Sequence, residues 1–483
     1  MAAPACQPAC LTAPPAAMEP IASPDAIPSP ETAKRNWLDH PRGLWVLAGT
    51  ELWDRISWHG MVAMLVLYMT GELLLPGRVE HVVGFTSYRA GLEHVFGPMS
   101  VTQLATQTFA LYFSAITFLP LVGGWIGDKV MTRRAAVSLG ALTMTAGHFA
   151  MAFDATFLLA LVLLVIGAGL LRGNLMPQIR ALYAAGDRRL GDAFQVYTFC
   201  INVGAFIAPI ASGTMAKYYG WHAGFAVAGV GMLAGLIWYL AGSRHLPPQV
   251  PPRQAGPAVP LTGPEKRNVC LLAMVWPFSV AFWTAQAQVW NVYSLWVRDH
   301  IAMTVGTFAV PIPWLQSLDG LAPAVEAPLL ILLWRWQATR KAEPDSLTKL
   351  ATGCLIFAAS TLLLALSPTA TRGPIWLPVA FHLLSNLGAM FFAPVMHAYF
   401  ATRAPERWRG TLIGVEMLSV AVASLISGPM GGWYTQVSPP VFWLVTAAIP
   451  AIAGVLLLAL RHPLRVFGGP DTLVKNEAGT AGH

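Results

Sequence analysis

Long apolar runs, broken by short polar loops, set the plan of this chain. Runs of about 20 or more mostly apolar residues cover about 43–71, 102–127, 134–153, 155–183, 193–217 and 222–243. A helix of that length, rising 1.5 Å per residue, crosses roughly 30 Å of hydrocarbon. A Pro-rich stretch, Ser243–Lys266, reads as a semi-rigid linker. Six further runs follow at about 268–298, 306–336, 348–367, 374–402, 410–434 and 439–461. The pattern predicts an all-α membrane protein of twelve spans in two six-helix bundles. Its boundaries would be a tail at 1–42, a bundle at 43–243, a linker at 244–266, a bundle at 267–461 and a tail at 462–483.

The first run breaks the apolar pattern. Glu51, Asp54, Arg55 and Trp58 share one helical face, with the charged groups spaced i, i+3 and i+4. An isolated charge in hydrocarbon costs at least about 2.5–3.5 kcal/mol, so this face must look at partners or at a wet cavity. Intramembrane ionisable groups of this kind mark a functional site. A structural ion-pair network that only fixes helix packing is the alternative. Arg172 is the other intramembrane base, and by helical rise it lies about 15 Å from its own helix end. Glu51 and Asp54 lie roughly 12–18 Å along theirs, so the depths match.

Composition narrows the class. The chain is 55% hydrophobic and 11% charged over 483 residues, far from the roughly 25% charge of a soluble domain. Its net charge of +7 does not point to nucleic acid, because the basic residues alternate by loop. The tails, the central linker and the loops after spans 2, 4, 8 and 10 hold 23 of the 30. Only Arg78, Arg89, Lys217, Arg298 and Arg372 lie on the other side. The positive-inside rule then puts both termini of this multi-pass protein in the cytoplasm, and the expected location is a bacterial cytoplasmic membrane. The N-terminal tail has no apolar run of signal-peptide length and reads as disordered. Cys6, Cys10, Cys200, Cys270 and Cys354 show no metal or redox spacing. No metal site, cofactor or enzymatic constellation is expected.

Several motifs sharpen this. Gly123-Gly-Trp-Ile-Gly-Asp-Lys-Val-Met-Thr-Arg-Arg134 follows the second span. It resembles the major-facilitator loop signature, with Asp128 and Arg133 or Arg134 as the gating pair. Ordinary positive-inside charge is the alternative. Phe194-Gln-Val-Tyr-Thr-Phe-Cys-Ile-Asn-Val-Gly-Ala-Phe206 resembles the fifth-span signature of the proton-dependent oligopeptide transporter (POT) family, departing at Thr198. Glu51-x-x-Asp54-Arg55 with Ser57-Trp-His-Gly-Met61, and Gly167-Ala-Gly-Leu-Leu-Arg-Gly-Asn174, resemble its first- and fourth-span motifs. Phe282-Trp283 with Gln288, then Gln316-Ser-Leu-Asp319, resemble its seventh- and eighth-span pocket segments. The order is kept over most of residues 43–461, so the chain is identified as a divergent, twelve-span member of that family.

The resemblance implies a major-facilitator fold and uptake of peptides or peptide-like solutes, driven by protons. Glu51, Asp54, Arg55 and Arg172 would couple protons; His59, Tyr112, Asn174, Asn202, Trp283 and Gln288 would line the pocket, with interhelical hydrogen bonding as the commoner alternative for Asn and Gln. The departures fall on the groups that grip a peptide's ends: the carboxylate-binding Arg corresponds to Val62, the amine-binding Glu to Ala389, the seventh-span Glu to Ala287 and a second-span Tyr to Thr117. New acids stand at Asp319 and Glu416. Either they bind an amine-bearing solute, or they pair with His382, Asn386 or His397. The expected partners are a peptide or small-molecule substrate, protons and the lipid bilayer, in a monomer without nucleic acid. An exporter of a peptide-like metabolite and a non-transporting sensor are the alternatives.

Overall fold

The computed structural model describes residues 39–184, 187, 189–248, 261–367 and 371–468. Most of both expected tails and residues 249–260 of the linker lie outside these described residues. Before the linker come α1 (Arg42–Tyr68), α2 (Phe85–Phe96), α3 (Val101–Lys129), α4 (Arg133–Ala150), α5 (Phe157–Arg180), α6 (Arg189–Tyr219) and α7 (Trp221–Gly242). After it come α8 (Gly263–Asn291), α9 (Tyr293–His300), α10 (Leu318–Thr339), α11 (Ser346–Ala365), α12 (Trp376–Arg403), α13 (Arg409–Trp433) and α14 (Pro439–Gly468).

Local chemistry fixes where helices start. Ser100 accepts from the Gln103 amide while the Gln103 side chain returns to the Ser100 amide, a reciprocal cap that opens α3. Thr262 and Glu265 do the same for α8, and Asp345 caps α11 through the Thr348 amide. Among the described residues, ten helices are long and apolar enough to cross a membrane. α1 and α4, with 27 and 18 residues, occupy the two other expected positions. Their sequences are more polar because α1 carries Glu51, Asp54 and Arg55, and α4 opens on Arg133 and Arg134.

Two expectations about spans need correction, and one helix stands where no element was expected. The segment between the first two spans holds a helix of its own, α2, with a buried Phe85 and Leu92. The seventh span is not one helix: α8 ends at Asn291 and α9 resumes at Tyr293. The eighth does not begin at 306. Thr304–Val305 and Phe308–Ala309 pair as a hairpin about Gly306, whose φ of 61° suits a tight two-residue turn. A 3₁₀ turn over Ile312–Ser317 then leads into α10. Periodicity missed the hairpin because its apolar residues run on into the helix.

The bundle has two ends. Arg403 Nη1 donates to the Gly468 carbonyl at 2.9 Å and Arg465 meets Asp345 at 2.9 Å, at the end where α1 starts and α14 finishes, the terminal face. At the opposite, loop face, Asp154 accepts from Tyr68 at 2.6 Å and pairs with Arg78 at 3.0 Å. Buried apolar side chains form two clusters. One is built on residues 44–246 with Leu295, around Phe109, Phe157 and Phe225; the other runs over residues 271–464, around Phe282, Phe357 and Phe392. These are the two bundles.

Glycine sets how closely helices approach in two places. A Cβ on Gly123 would lie 2.0 Å from the Gly169 carbonyl oxygen, and one on Gly173 2.3 Å from that of Pro120. α5 therefore lies backbone to backbone on α3, the packing that small residues permit between membrane helices. At the seam between bundles, a Cβ on Gly320 of α10 would meet the Phe206 nitrogen of α6 at 2.4 Å. Trp314 Nε1 donates to the Ile210 carbonyl at 3.2 Å and to Thr214 at 3.1 Å, and Asn291 Nδ2 donates to the Thr106 carbonyl at 3.3 Å. Arg298 donates to Thr70 at 3.3 Å. These contacts close the seam in its loop-face half.

Gly320→Ala is expected to cost the closed seam about 1–3 kcal/mol, the usual penalty of overpacking. The readout is a lower thermal midpoint of the solubilised protein. Gly410→Ala, where a Cβ would meet nothing within 4 Å, is the control. Equal midpoints for the two would show that this close approach does not hold the seam.

Candidate functional site

Asp54 is fully buried in α1, and Glu51 is 1% exposed. Both find cations. Arg172, carried by α5, forks onto Asp54 with Nε at 2.9 Å from Oδ2 and Nη2 at 3.2 Å from Oδ1. Arg55 Nε donates to Glu51 Oε1 at 2.6 Å, and its Nη2 lies 3.6 Å from Asp54 Oδ2. Tyr197 of α6 completes the set by donating to Glu51 Oε2 at 2.5 Å. Two carboxylates and two guanidiniums thus alternate across two helices, and the Tyr197 hydroxyl joins a third. Such a buried pair stands only with near-ideal geometry, because removing either partner leaves an uncompensated charge.

The fork is held from several sides. Close glycine packing on α3 fixes α5, and Gly204 of α6 leaves room for Arg55, whose Cβ would lie 2.6 Å from a Cβ there. The Arg172 guanidinium also sits 4.5 Å over the Trp58 ring, a cation–π contact. Ser57, one residue before Trp58, hydrogen-bonds to His148 Nε2 of α4, and His148 Nδ1 is buried without a partner.

From Trp58 an aromatic path leads to the other bundle. Trp58 faces Tyr112 at 6.4 Å and Phe113 at 5.0 Å between ring centroids. Phe113 of α3 stacks on Trp290 of α8 at 4.8 Å, and Trp290 on Trp283 at 6.4 Å. The indole nitrogen of Trp283 is buried without a partner. This path offers π faces on both sides of the seam, with the ion cluster at one end.

The structure joins Glu51, Asp54, Arg55 and Arg172, and puts Tyr112 and Trp283 on the aromatic path. Other candidates have different surroundings. Asn174 donates to the carbonyls of Gly123 and Leu170, both at 2.8 Å, so it ties α5 to α3. Gln288 donates to the Ser427 carbonyl at 3.2 Å, binding α8 to α13. Asn202 lies on α6 where Gly320 approaches, its carbonyl oxygen 2.6 Å from a Cβ at that glycine. His59 lies one residue beyond Trp58, within electrostatic reach of Asp319.

Both acids of the second bundle are paired. Asp319 Oδ1 meets His382 Nδ1 at 2.8 Å and Asn386 Nδ2 at 2.9 Å. Glu416 Oε2 lies 3.3 Å from His397 Nδ1, and its Oε1 accepts from Ser279 at 3.5 Å. The histidine pairings of the sequence alternatives are therefore present. On the terminal face, Arg133 Nη2 pairs with Asp128 at 2.7 Å. Arg134 instead donates to the carbonyls of Leu246 and Pro247 at 2.5 and 2.6 Å, latching α4 to the chain after α7.

Sequence reasoning missed Tyr197, His148, Trp290 and Asn291 as parts of this site. Tyr197 stood inside the fifth-span motif and carried that signal. The partners of the other three depend on helix rotation.

A two-bundle helical carrier with a buried ion cluster inside one bundle is the class this arrangement defines. Comparison with known proteins agrees with it. The profile of the POT family matches residues 134–259 and 262–444. Similar proteins include the "Uncharacterized transporter YclF" of Bacillus subtilis, 25% identical over 89% of this chain and 96% of its own length. "Peptide transporter YePEPT" of Yersinia enterocolitica is also 25% identical, over 89% of this chain and 96% of its own. A "Di-/tripeptide transporter" of Lactococcus lactis subsp. cremoris is 23% identical, over 89% of this chain and 97% of its own. The fold matches a solved structure of a peptide transporter POT in complex with sulfate, at TM-score 0.78 and 23% identity, covering 90% of this chain and 97% of that one. It also matches a POT family transporter in complex with 5-aminolevulinic acid, at TM-score 0.77 and 20% identity, covering 88% and 97%. The chain belongs to the POT family.

Arg172→Gln is expected to cost about 3–5 kcal/mol, because Asp54 then loses its fork. SDS-induced unfolding measures this. Adding Asp54→Asn should restore at least half of the loss, since the uncompensated charge goes too. A double variant as unstable as the sum of the singles would show that the two side chains act independently.

Proposed function

We propose that this protein is a secondary transporter that carries di- and tripeptides, or peptide-like amine-bearing solutes, by alternating access coupled to protons. The reading rests on one observation: the Asp54–Arg172 fork spans two helices of one bundle, beside an aromatic path to the other. The names of the relatives in Yersinia and Lactococcus support the peptide class.

Coupling requires that protonation bind one conformation better than the other. Asp54 meets that requirement if α1 and α5 separate. In the closed arrangement both of its oxygens are taken by a guanidinium that does not give up its proton. A relative shift of a few ångströms would withdraw the fork from a buried carboxylate and leave a proton as its replacement. Glu51, held by Arg55 and Tyr197, would respond to the movement of α6. Asp128 with Arg133 would act as the gating pair on the terminal face.

The second bundle would supply solute selectivity. Asp319 and Glu416 each hold a histidine. An ammonium group on the solute would take the place of that ring. His59, Asn202, Gln288, Tyr112 and Trp283 would form the walls. With Val62 and Ala389 in the end-gripping positions, solutes lacking a free carboxylate are favoured. The basic-residue pattern supports a bacterial cytoplasmic membrane with both termini cytoplasmic.

Uptake into energised proteoliposomes tests this. Di- and tripeptides and amino-acid amides are expected to accumulate at least tenfold more with an inward proton gradient than with an ionophore. Undiminished accumulation after the gradient is collapsed would rule out proton coupling. A protein that exchanges none of these solutes in counterflow would not be a transporter of this class.

A further inference from the structure

Among the acids of the membrane-spanning helices, Glu326 of α10 has surroundings unlike the others. It lies seven residues after Asp319, two helical turns on, and so on nearly the same face. That face is the protein side of the helix. Gly320, Ala322 and Leu330 are buried, and Asp319, Pro323, Trp334 and Gln337 are partly so, whereas Val325, Leu329, Leu332 and Trp336 are exposed. Two contacts with α12 bracket it. Asp319 bonds Asn386 on one side, and Trp334 meets Phe391 edge to face at 5.7 Å on the other. Glu326 sits between them, at the seam of α10 and α12.

Its carboxylate has no counterpart there. Oε2 is buried without a hydrogen-bond partner, while the side chain as a whole is only partly buried. Several titratable groups on neighbouring elements are otherwise engaged. On α12, His382 is taken by Asp319, His397 by Glu416, and Arg403 by the Gly468 carbonyl. On α6, Tyr197 is taken by Glu51. On α11, Lys349 pairs with Glu343 and lies 4.2 Å over the Trp334 ring. An ionised carboxylate oxygen buried in a membrane span with no donor is costly, and a bound proton removes that cost.

We propose that Glu326 is a second proton-binding site, in the α10–α12 seam, whose proton exchanges with water during the transport cycle. The proton is held as a neutral carboxylic acid, with no covalent change beyond the O–H bond. The site differs from the Asp54 cluster in kind. Asp54 is paired with arginine, whereas Glu326 keeps its proton in the conformation described and would release it when a rearranged seam offers it water or a donor. Its part in transport rests on the proposed function. Its proton occupancy does not.

The test therefore has two readouts. Infrared spectra of the full-length protein in liposomes near neutral pH should show a carboxylic-acid carbonyl band that shifts in heavy water and is absent from Glu326→Gln. In the same liposomes, Glu326→Gln should lose at least tenfold in gradient-driven accumulation while keeping solute counterflow, which needs no net proton movement. If Glu326→Gln does not fold, Glu326→Asp should move the band instead. A band identical in wild type and variant, a band that does not respond to heavy water, or accumulation unchanged by the substitution would each overturn the proposal. Should the wild type carry no solute while the band behaves as described, the transport reading fails and the proton site stands.

Discussion

A carboxylate with no exposure to water, deep in a membrane helix, is the constraint on which the structure turns. Asp54 is tolerable there because Arg172 meets both of its oxygens. The fork ties α1 to α5 at one depth, and the rest of the first bundle keeps it in place. Glycines 123, 169 and 173 bring α5 onto α3, and Gly204 admits Arg55 beside α6. Tyr197 closes the remaining oxygen of Glu51. Losing one member would leave its partner as an uncompensated charge in a low-dielectric interior, so the cluster holds together as a unit.

The seam between the bundles is built differently. Its loop-face half rests on backbone proximity at Gly320, on the packing of α13 against α3, where a Cβ on Gly428 would lie 2.5 Å from Gln107 Oε1, and on hydrogen bonds from Trp314, Asn291 and Arg298. Such contacts are cheaper to break than the Asp54 fork, because they bury little charge. Rocking one bundle against the other, as carriers with a midplane site do, would part these contacts and leave the fork intact. The aromatic path from Trp58 to Trp283 crosses that seam by stacking alone.

Charge in the second bundle follows another logic. Its acids, Asp319 and Glu416, meet histidines where the first bundle uses arginines. Arginine keeps its proton at any physiological pH, while histidine titrates near neutrality. The two bundles thus bury their acids beside different bases, and Glu326 adds a carboxylate with no cation beside it among the described residues.

Much of this was legible in the sequence, for a physical reason. Apolar run length, loop charge and the cost of burying Glu51, Asp54 and Arg55 are properties of the chain itself. They establish a helical membrane protein and require that those three residues find partners. Helical rise alone put Arg172 at their depth. What the sequence could not decide is azimuth. Whether Asn174 faces a pocket or the Gly123 carbonyl, whether Asp319 is free or held by His382, and that Glu326 has no donor all depend on how each helix is rotated and which neighbour it meets. Those are settled only by packing, because a residue's depth comes from counting along one helix while its partner is chosen by the others.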